Sequence, residues 1–315
     1  MIINELSFGK LYGIDDLENS FHKAFMSRKN SSWMIIGKKG IGKSLLSFRL
    51  ASFVINRKVS SENLHNIHLV SPLEDNKSGI IKKEQIDNLI IKLRLSAFNN
   101  EWRVIIFDKL DMLNINGMNS LLKIIEDTPK NVCFIFIVDE LIKVIPTIKS
   151  RCQKLYLKGP NREECMIILK NKLGDLNDKE IKLLSNISNY SPGVAIDIHN
   201  FSAHKLYFNL LDTIKNKDLI NNIDKKLLLI GKNNNEKSWV ISLLLTRLIN
   251  ISIKNNNSKD FLLDEEKTFI ETIRNRFSPK VILSKYENLN HRLYRIKSLN
   301  SNISMELSQF LFNLH

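Results

Sequence analysis

Only three cysteines, Cys133, Cys152 and Cys165, occur in the 315 residues, and no two of them form a CxxC pair. So sparse and odd a count argues against a disulfide scaffold and a four-cysteine zinc site. No run reaches the roughly 18 apolar residues that a membrane-spanning helix needs. The opening MIINELSFGK lacks the basic-then-apolar order of a secretory signal. A soluble, cytoplasmic protein without a membrane partner is the expectation. Acidic residues are outnumbered: 33 Asp and Glu stand against 47 Lys and Arg, for a formal charge of +14. That excess favours polyanions, nucleic acid or anionic lipid. Abundant Lys, Asn and Ile would equally follow from AT-rich coding, so charge alone does not decide the matter. Internal repeats and long disordered tracts are also missing.

What is present is ordinary globular composition, 43% hydrophobic and 25% charged, in a chain long enough for two or three compact units. The first half alternates short apolar runs with helical patterns. Ile14, Leu17, Phe21 and Phe25 recur at helical spacing, as do Ile86, Leu89, Ile90 and Leu93. A further helix from Lys43 carries Leu46, Leu50 and Val54. The runs 33–36, 67–70, 104–107 and 132–138 read as strands, the last two continuously apolar. Parallel strands covered by helices on both faces look like this. Strands alternating with helices give βαβ units and a doubly wound sheet. Beyond about residue 157 strand-like runs nearly vanish. Helical patterns follow at 165–173, 181–187, 204–214, 239–253, 261–273, 281–296 and 305–314. The Lys-Gly-Pro turn at 158–160 is a boundary signal, a second boundary falls near residue 200, and 231–235 and 255–258 read as loops.

Two motifs carry chemistry. GKKGIGKS at 37–44 fits GxxxxGK[ST], after an apolar run and before a helix, as a phosphate loop requires. Gly37, Gly40 and Gly42 let backbone N–H groups turn inward around phosphate oxygens, and the helix N-terminus adds a favourable dipole. Lys43 would reach the β- and γ-phosphates of ATP, and Ser44 would hold Mg²⁺. A relic loop that keeps the fold and binds nothing is the competing reading. The second motif is the apolar strand ending in Asp108, the carboxylate that orders Mg²⁺ in phosphate-loop proteins. A strand-end helix cap is its bland alternative. A hydrolytic site would place Glu next, to polarise water. Here Lys109 follows, and an ammonium cannot accept a proton. Asp111 is three residues on and points elsewhere.

NINGMNSLLKIIEDTP at 114–129 resembles the NALLKxLEEPP segment of bacterial DNA polymerase III clamp loaders, and PTIKSRC at 146–152 resembles their TIxSRC segment. The spacing from phosphate loop to Asp108 to Ser150-Arg151-Cys152 matches, and Leu11-Tyr12-Gly13 resembles the start of their nucleotide-binding fold. Ser191-Pro192-Gly193-Val194-Ala195 resembles the SPGxA turn of the delta-prime branch, and 299–302 resembles the end of a collar. The likeness is strong over 1–157 and weak over 204–315. It implies an α/β AAA+ fold: a RecA-like parallel-sheet domain at 1–158, a small helical lid at 159–203 and an all-α collar for oligomerisation at 204–315. It also implies gamma/tau and delta subunits, the sliding clamp and primer-template DNA as partners, within a DNA polymerase III complex.

In that family the arginine of Ser-Arg-Cys works in trans, so the likeness assigns Arg151 to the γ-phosphate of ATP on a neighbouring subunit. Its planar fork suits a charge that grows during phosphoryl transfer. A surface ion pair is the competing reading. The departures point away from hydrolysis. Lys109 replaces the catalytic Glu, Val138 or Asp139 falls where a Thr or Asn sensor is expected, and Gly193 sits at the second sensor arginine. The 57–80 segment has no cysteine, so the zinc module of related subunits is not implied, and His65 and His68 read as surface residues. The rivals are an ATP-hydrolysing gamma/tau motor or another AAA+ DNA-remodelling ATPase. The second would need a winged helix, and 204–315 lacks hairpin signals for one. A GTPase is disfavoured because no NKxD motif occurs.

Overall fold

The structure, a computed structural model, describes residues 11–28, 31–59, 64–72, 81, 84–86, 88–89, 91, 101–201, 207, 246–247, 249, 251–253 and 264–299. The chain packs as two units, Met1–Glu164 and Cys165–His315.

In the first unit the order is α1 (Asp15–Arg28), β1 (Ser32–Ile36), α2 (Lys43–Asn56), β2 (Ile67–Val70), β3 (Arg103–Phe107), α3 (Ile115–Glu126), β4 (Val132–Val138), α4 (Pro146–Arg151) and β5 (Gln153–Tyr156). The five strands form one parallel sheet ordered β2-β3-β4-β1-β5. Every residue of β1, β3 and β4 is buried, which is why, Ser32 and Arg103 at their starts apart, these strands read as apolar runs.

Alternation along these strands feeds two cores, one on each face. Met34, Ile36, Ile105, Phe107, Phe134, Phe136 and Val138 share one core with Met118, Leu121, Ile124 and Ile125 of α3 and Ile148 of α4. Trp33, Ile35, Val104, Ile106, Ile135 and Ile137 share the other with Phe21 and Phe25 of α1 and Leu46, Leu50 and Val54 of α2. Phe21 is fully buried, its ring 4.4 Å from that of Trp33. Burying an aromatic or aliphatic side chain of this size contributes about 1.5–3 kcal/mol. Ile86 and Leu89 are buried on helical backbone as expected, whereas Ile90 and Leu93 lie outside the described residues.

Strand β5 adds to the strands expected from sequence, the last of which was 132–138. Its QKLY stretch sits at a sheet edge and buries only Leu155, so it shows no apolar run. Helix ends follow local chemistry. Asn114 caps α3 by accepting from Gly117 N at 2.8 Å, and Pro146 opens α4, where a missing N–H costs nothing.

The second unit takes up most of α5 (Arg162–Lys172), then α6 (Asp178–Ile187), α7 (Pro192–Asn200), α8 (Asp264–Arg276) and α9 (Pro279–Leu299). Among its described residues there is no strand. Asn177 and Glu180 form a reciprocal capping box at α6. Glu266 of α8 is wholly buried and accepts from the Tyr207 hydroxyl, with Arg247 Nε at 3.5 Å. Burial and the Glu266 charge push the Tyr207 phenol well up. Of the expected later helices, 305–314 and most of 204–214 lie outside the described residues, as do the loops at 231–235 and 255–258.

Candidate functional site

The C-terminal ends of β1, β3 and β4 bring the sequence motifs together. Ile36 pairs in register with Val138, and Gly37 N then donates to Val138 O at 3.2 Å, so the phosphate loop leaves directly from the sheet. Ligands of open parallel sheets bind at this strand edge. A side chain at 37 would meet Leu157 O and Ile41 Cδ1 at 2.8 Å. Gly40 and Gly42 have φ of 78° and 102°, a region that L side chains rarely adopt. Gly42 O accepts from Leu46 N at 3.0 Å and starts α2, whose N-terminus faces the loop.

Lys43, the first residue of α2, is buried, and its ammonium is fully engaged. Nζ donates to Gly37 O at 2.8 Å and Lys38 O at 2.6 Å, and it lies 2.5 Å from Asp139 Oδ1. An ammonium has three donors, so all three have partners. Next to it, Ser44 Oγ donates to Asp108 Oδ2 at 3.3 Å. Asp108 immediately follows β3, and its N–H continues the ladder to Val70 O at 2.9 Å. Its side chain therefore turns to Ser44 rather than capping a helix. Burial raises the Asp108 carboxyl above the usual range, against the lowering effects of Lys109 and the Ser44 hydrogen bond.

This donor set fits phosphate and Mg²⁺ on its chemistry. Ser44 and Asp108 offer hard oxygens side by side, the kind Mg²⁺ takes, and a desolvated carboxylate gains from a cation. Lys43 reaches a phosphate only by giving up some of its oxygen partners.

Lys109 follows Asp108 with φ of 72°, and its carbonyl accepts from Met112 N at 3.0 Å. Asp111 does point elsewhere, and the sequence did not disclose its task. It is buried, and its two oxygens accept from Asp139 N at 3.3 Å and Glu140 N at 3.2 Å. It thereby fixes the backbone that carries Asp139. Of the two sensor candidates, Val138 is buried as the last residue of β4, and Asp139 is the one that meets the phosphate loop.

Arg151 ends α4 with its side chain exposed, away from this cluster. Nη1 donates to Thr147 O at 3.1 Å, and Nη2 is 2.6 Å from Glu126 Oε1 at the end of α3. The surface ion pair weighed from sequence does form, although Glu126 as its partner was not foreseen. Gly193 lies in the first turn of α7, in the second unit. His65 and His68 are exposed, and among the described residues no cluster of three or more metal-ligating side chains occurs. No helix among the described residues is long and apolar enough to cross a membrane.

Comparison with known proteins adds the following. Residues 14–161 match the family described as DNA polymerase III, delta subunit. The DNA polymerase III subunit gamma of Buchnera aphidicola subsp. Schizaphis graminum is 23% identical over 214 residues, 64% of this chain and 58% of the relative. The DNA polymerase III subunit delta' of Bacillus subtilis is 29% identical over 189 residues, 55% of this chain and 54% of the relative. The chain thus spans 52–58% of the length of the first curated relatives it matches. A crystal structure of a DNA polymerase III gamma subunit-related protein from Thermotoga maritima superposes with a TM-score of 0.52 at 16% identity. The match covers 94% of this chain and 98% of that one.

Proposed function

We propose that the chain, which has the α/β fold of AAA+ proteins and whose residues 14–161 match the family described as DNA polymerase III, delta subunit, is the delta-prime-type subunit of a DNA polymerase III clamp loader. In this reading it is a stationary ring member that does not hydrolyse ATP and presents Arg151 to the ATP of an adjacent motor subunit. The observation that carries it is Lys109 directly after Asp108, beside an otherwise complete phosphate loop. Phosphoryl transfer to water needs a group that orients or deprotonates the water, and an ammonium does neither.

Within this chain Ser44 and Asp108 would hold Mg²⁺, and Lys43 with the loop N–H groups would hold phosphate. When bound, ATP·Mg²⁺ supplies a phosphoryl group whose transfer this site is not equipped to promote. Arg151 sits exposed at a helix end, where a neighbouring subunit can reach it. Its fork would stabilise charge on the neighbour's transferred phosphoryl group, acting by position and electrostatics. The lid at 159–203 and the collar at 204–315 would join the chain to gamma/tau and delta subunits. The sliding clamp and primer-template DNA would be met through the complex, with DNA bound weakly and in a salt-sensitive way.

A gamma/tau-type motor is the second reading, favoured by the Ser44–Asp108 pair at 3.3 Å. Turnover separates the two. Purified protein should hydrolyse no ATP. In a reconstituted complex, Arg151→Ala should lower clamp- and DNA-stimulated turnover far more than Lys43→Ala, and Arg151→Lys should not rescue it. Hydrolysis by the isolated chain that Lys43→Ala abolishes would identify a motor instead.

A further inference from the structure

We propose that Asp139 sets the nucleotide preference of the phosphate loop, by neutralising Lys43 with a resident carboxylate and so favouring a nucleoside diphosphate over a triphosphate. The proposal rests on the reading of residues 37–44 as a nucleotide site and specifies what that site accepts.

The geometry is built rather than incidental. Asp139 is the first residue after β4, and β4 lies beside β1, from whose end the loop departs. The adjoining Val138 O takes the Gly37 N–H at 3.2 Å, which fixes the distance between the two chain ends. From below, Asp111 accepts the N–H groups of Asp139 and Glu140, so the turn carrying the carboxylate is pinned. The result is an ion pair of 2.5 Å to a lysine whose side chain is only 4% exposed, with Asp139 itself 21% exposed. Lys38 O and Gly37 O take the remaining ammonium donors.

In a phosphate loop this lysine bridges the β- and γ-phosphates. Here a fixed negative charge already neutralises it on the side of β4. A terminal phosphate brought to the same ammonium would face Asp139 as a like charge in a partly desolvated place, and Asp108 stands in the same cluster. A diphosphate brings less charge to that end of the loop and leaves the Asp139–Lys43 pair intact. A neutral amide at 139 would keep the shape and remove the repulsion.

Titration calorimetry of the full chain with Mg-ADP and with a Mg-bound non-hydrolysable ATP analogue tests this. The wild type should bind ADP at least roughly tenfold more tightly than the analogue. Asp139→Asn and the smaller Asp139→Ser should raise affinity for the analogue by about the same factor and move ADP much less. Asp139→Glu should keep the wild-type preference, and Lys43→Ala should weaken both ligands. Equal wild-type affinities would overturn the proposal. So would an unchanged ratio in both neutral variants, or failure of both to bind either nucleotide while folded by circular dichroism. These outcomes separate from the stator reading. ATP turnover with the predicted ratio sinks that reading alone, whereas no turnover with an unmoved ratio sinks this one alone.

Discussion

Replacing Glu126 by Gln removes the charge that holds Arg151 against its own subunit. The consequence can be sized from the structure. The pair is short, 2.6 Å, but both side chains are well exposed, 40% for Arg151 and 49% for Glu126. An ion pair this open is worth about 0.2–1 kcal/mol after solvent screening. That corresponds to a factor of at most about five in the fraction of free arginine. A trans arginine, by contrast, is worth roughly 10³–10⁵ in phosphoryl-transfer rate at the site it serves. If Arg151 acts in trans as proposed, the internal pair is too weak to restrain it, and would park the side chain and give way to a neighbour's phosphate. In a reconstituted clamp loader, Glu126→Gln should raise stimulated ATP turnover by no more than about fivefold, and the gain should shrink with added salt. Arg151→Ala should remove most of the stimulated turnover of the one site concerned. Steady-state turnover against salt, with assembly of the complex checked by light scattering, gives both numbers. A gain well beyond tenfold, or one that survives high salt, would mean that the pair is a genuine latch and that the screening argument fails.

Three further outcomes follow from burial. Burial raises the Asp108 carboxyl, so between its ordinary value of 3.8 and its raised value the folded state holds more protons than the unfolded one. Stability is lost as pH rises through that window, so Asp108→Asn should melt higher than wild type at neutral pH, with the gap closing as pH falls toward 3.8. A lower melting temperature at neutral pH would contradict this. Cys133 and Cys152 are buried and their thiols are pushed up, Cys152 to about 12, so both should resist thiol reagents until the protein is unfolded in urea. Fast labelling of either in native protein would count against the fold around them. Phe21→Ala empties a site between Trp33 and Phe25 and should cost about 3–5 kcal/mol in urea denaturation of the first unit.

How far the sequence disclosed all this depended on range. The central strands stood out because β1, β3 and β4 are buried on both faces, which leaves β4 wholly apolar and β1 and β3 apolar after their first residues, Ser32 and Arg103. Strand β5 did not, because an edge strand shows half of itself to water and QKLY has no periodic signal. Lys43, Ser44 and Asp108 could be named in advance as candidates from motif spacing, and the structure brings Ser44 and Asp108 together. Two pairs were hidden: Lys43 with Asp139, and Arg151 with Glu126. Each joins side chains from different elements, and only the order of strands and the packing of α3 beside α4 brings them within reach. Asp111 was expected to point elsewhere, but its grip on the turn after β4 needed the fold to be seen. One usable signal did exist. Asp139 directly follows a buried strand, as Gly37 and Asp108 do, and residues in that position gather at one edge of a parallel sheet.

That shared edge makes the sheet a ruler for the site. Gly37, Asp108 and Asp139 are each the first residue past a strand, and the strands are locked by pairings such as Ile36 with Val138 and Phe107 with Phe136. A one-residue slip would exchange the side chains that face the two cores, so register is held by the packing on both faces. Length changes are therefore unequal in effect. One residue inserted within β3 or β4 would carry Asp108 or Asp139 off the edge, or force Phe134 and Phe136 out of their core. The same residue inserted into a connection away from the edge would leave every distance at the phosphate loop as it is. Drift in chain length should accumulate in the connections, while the three strand ends keep their count.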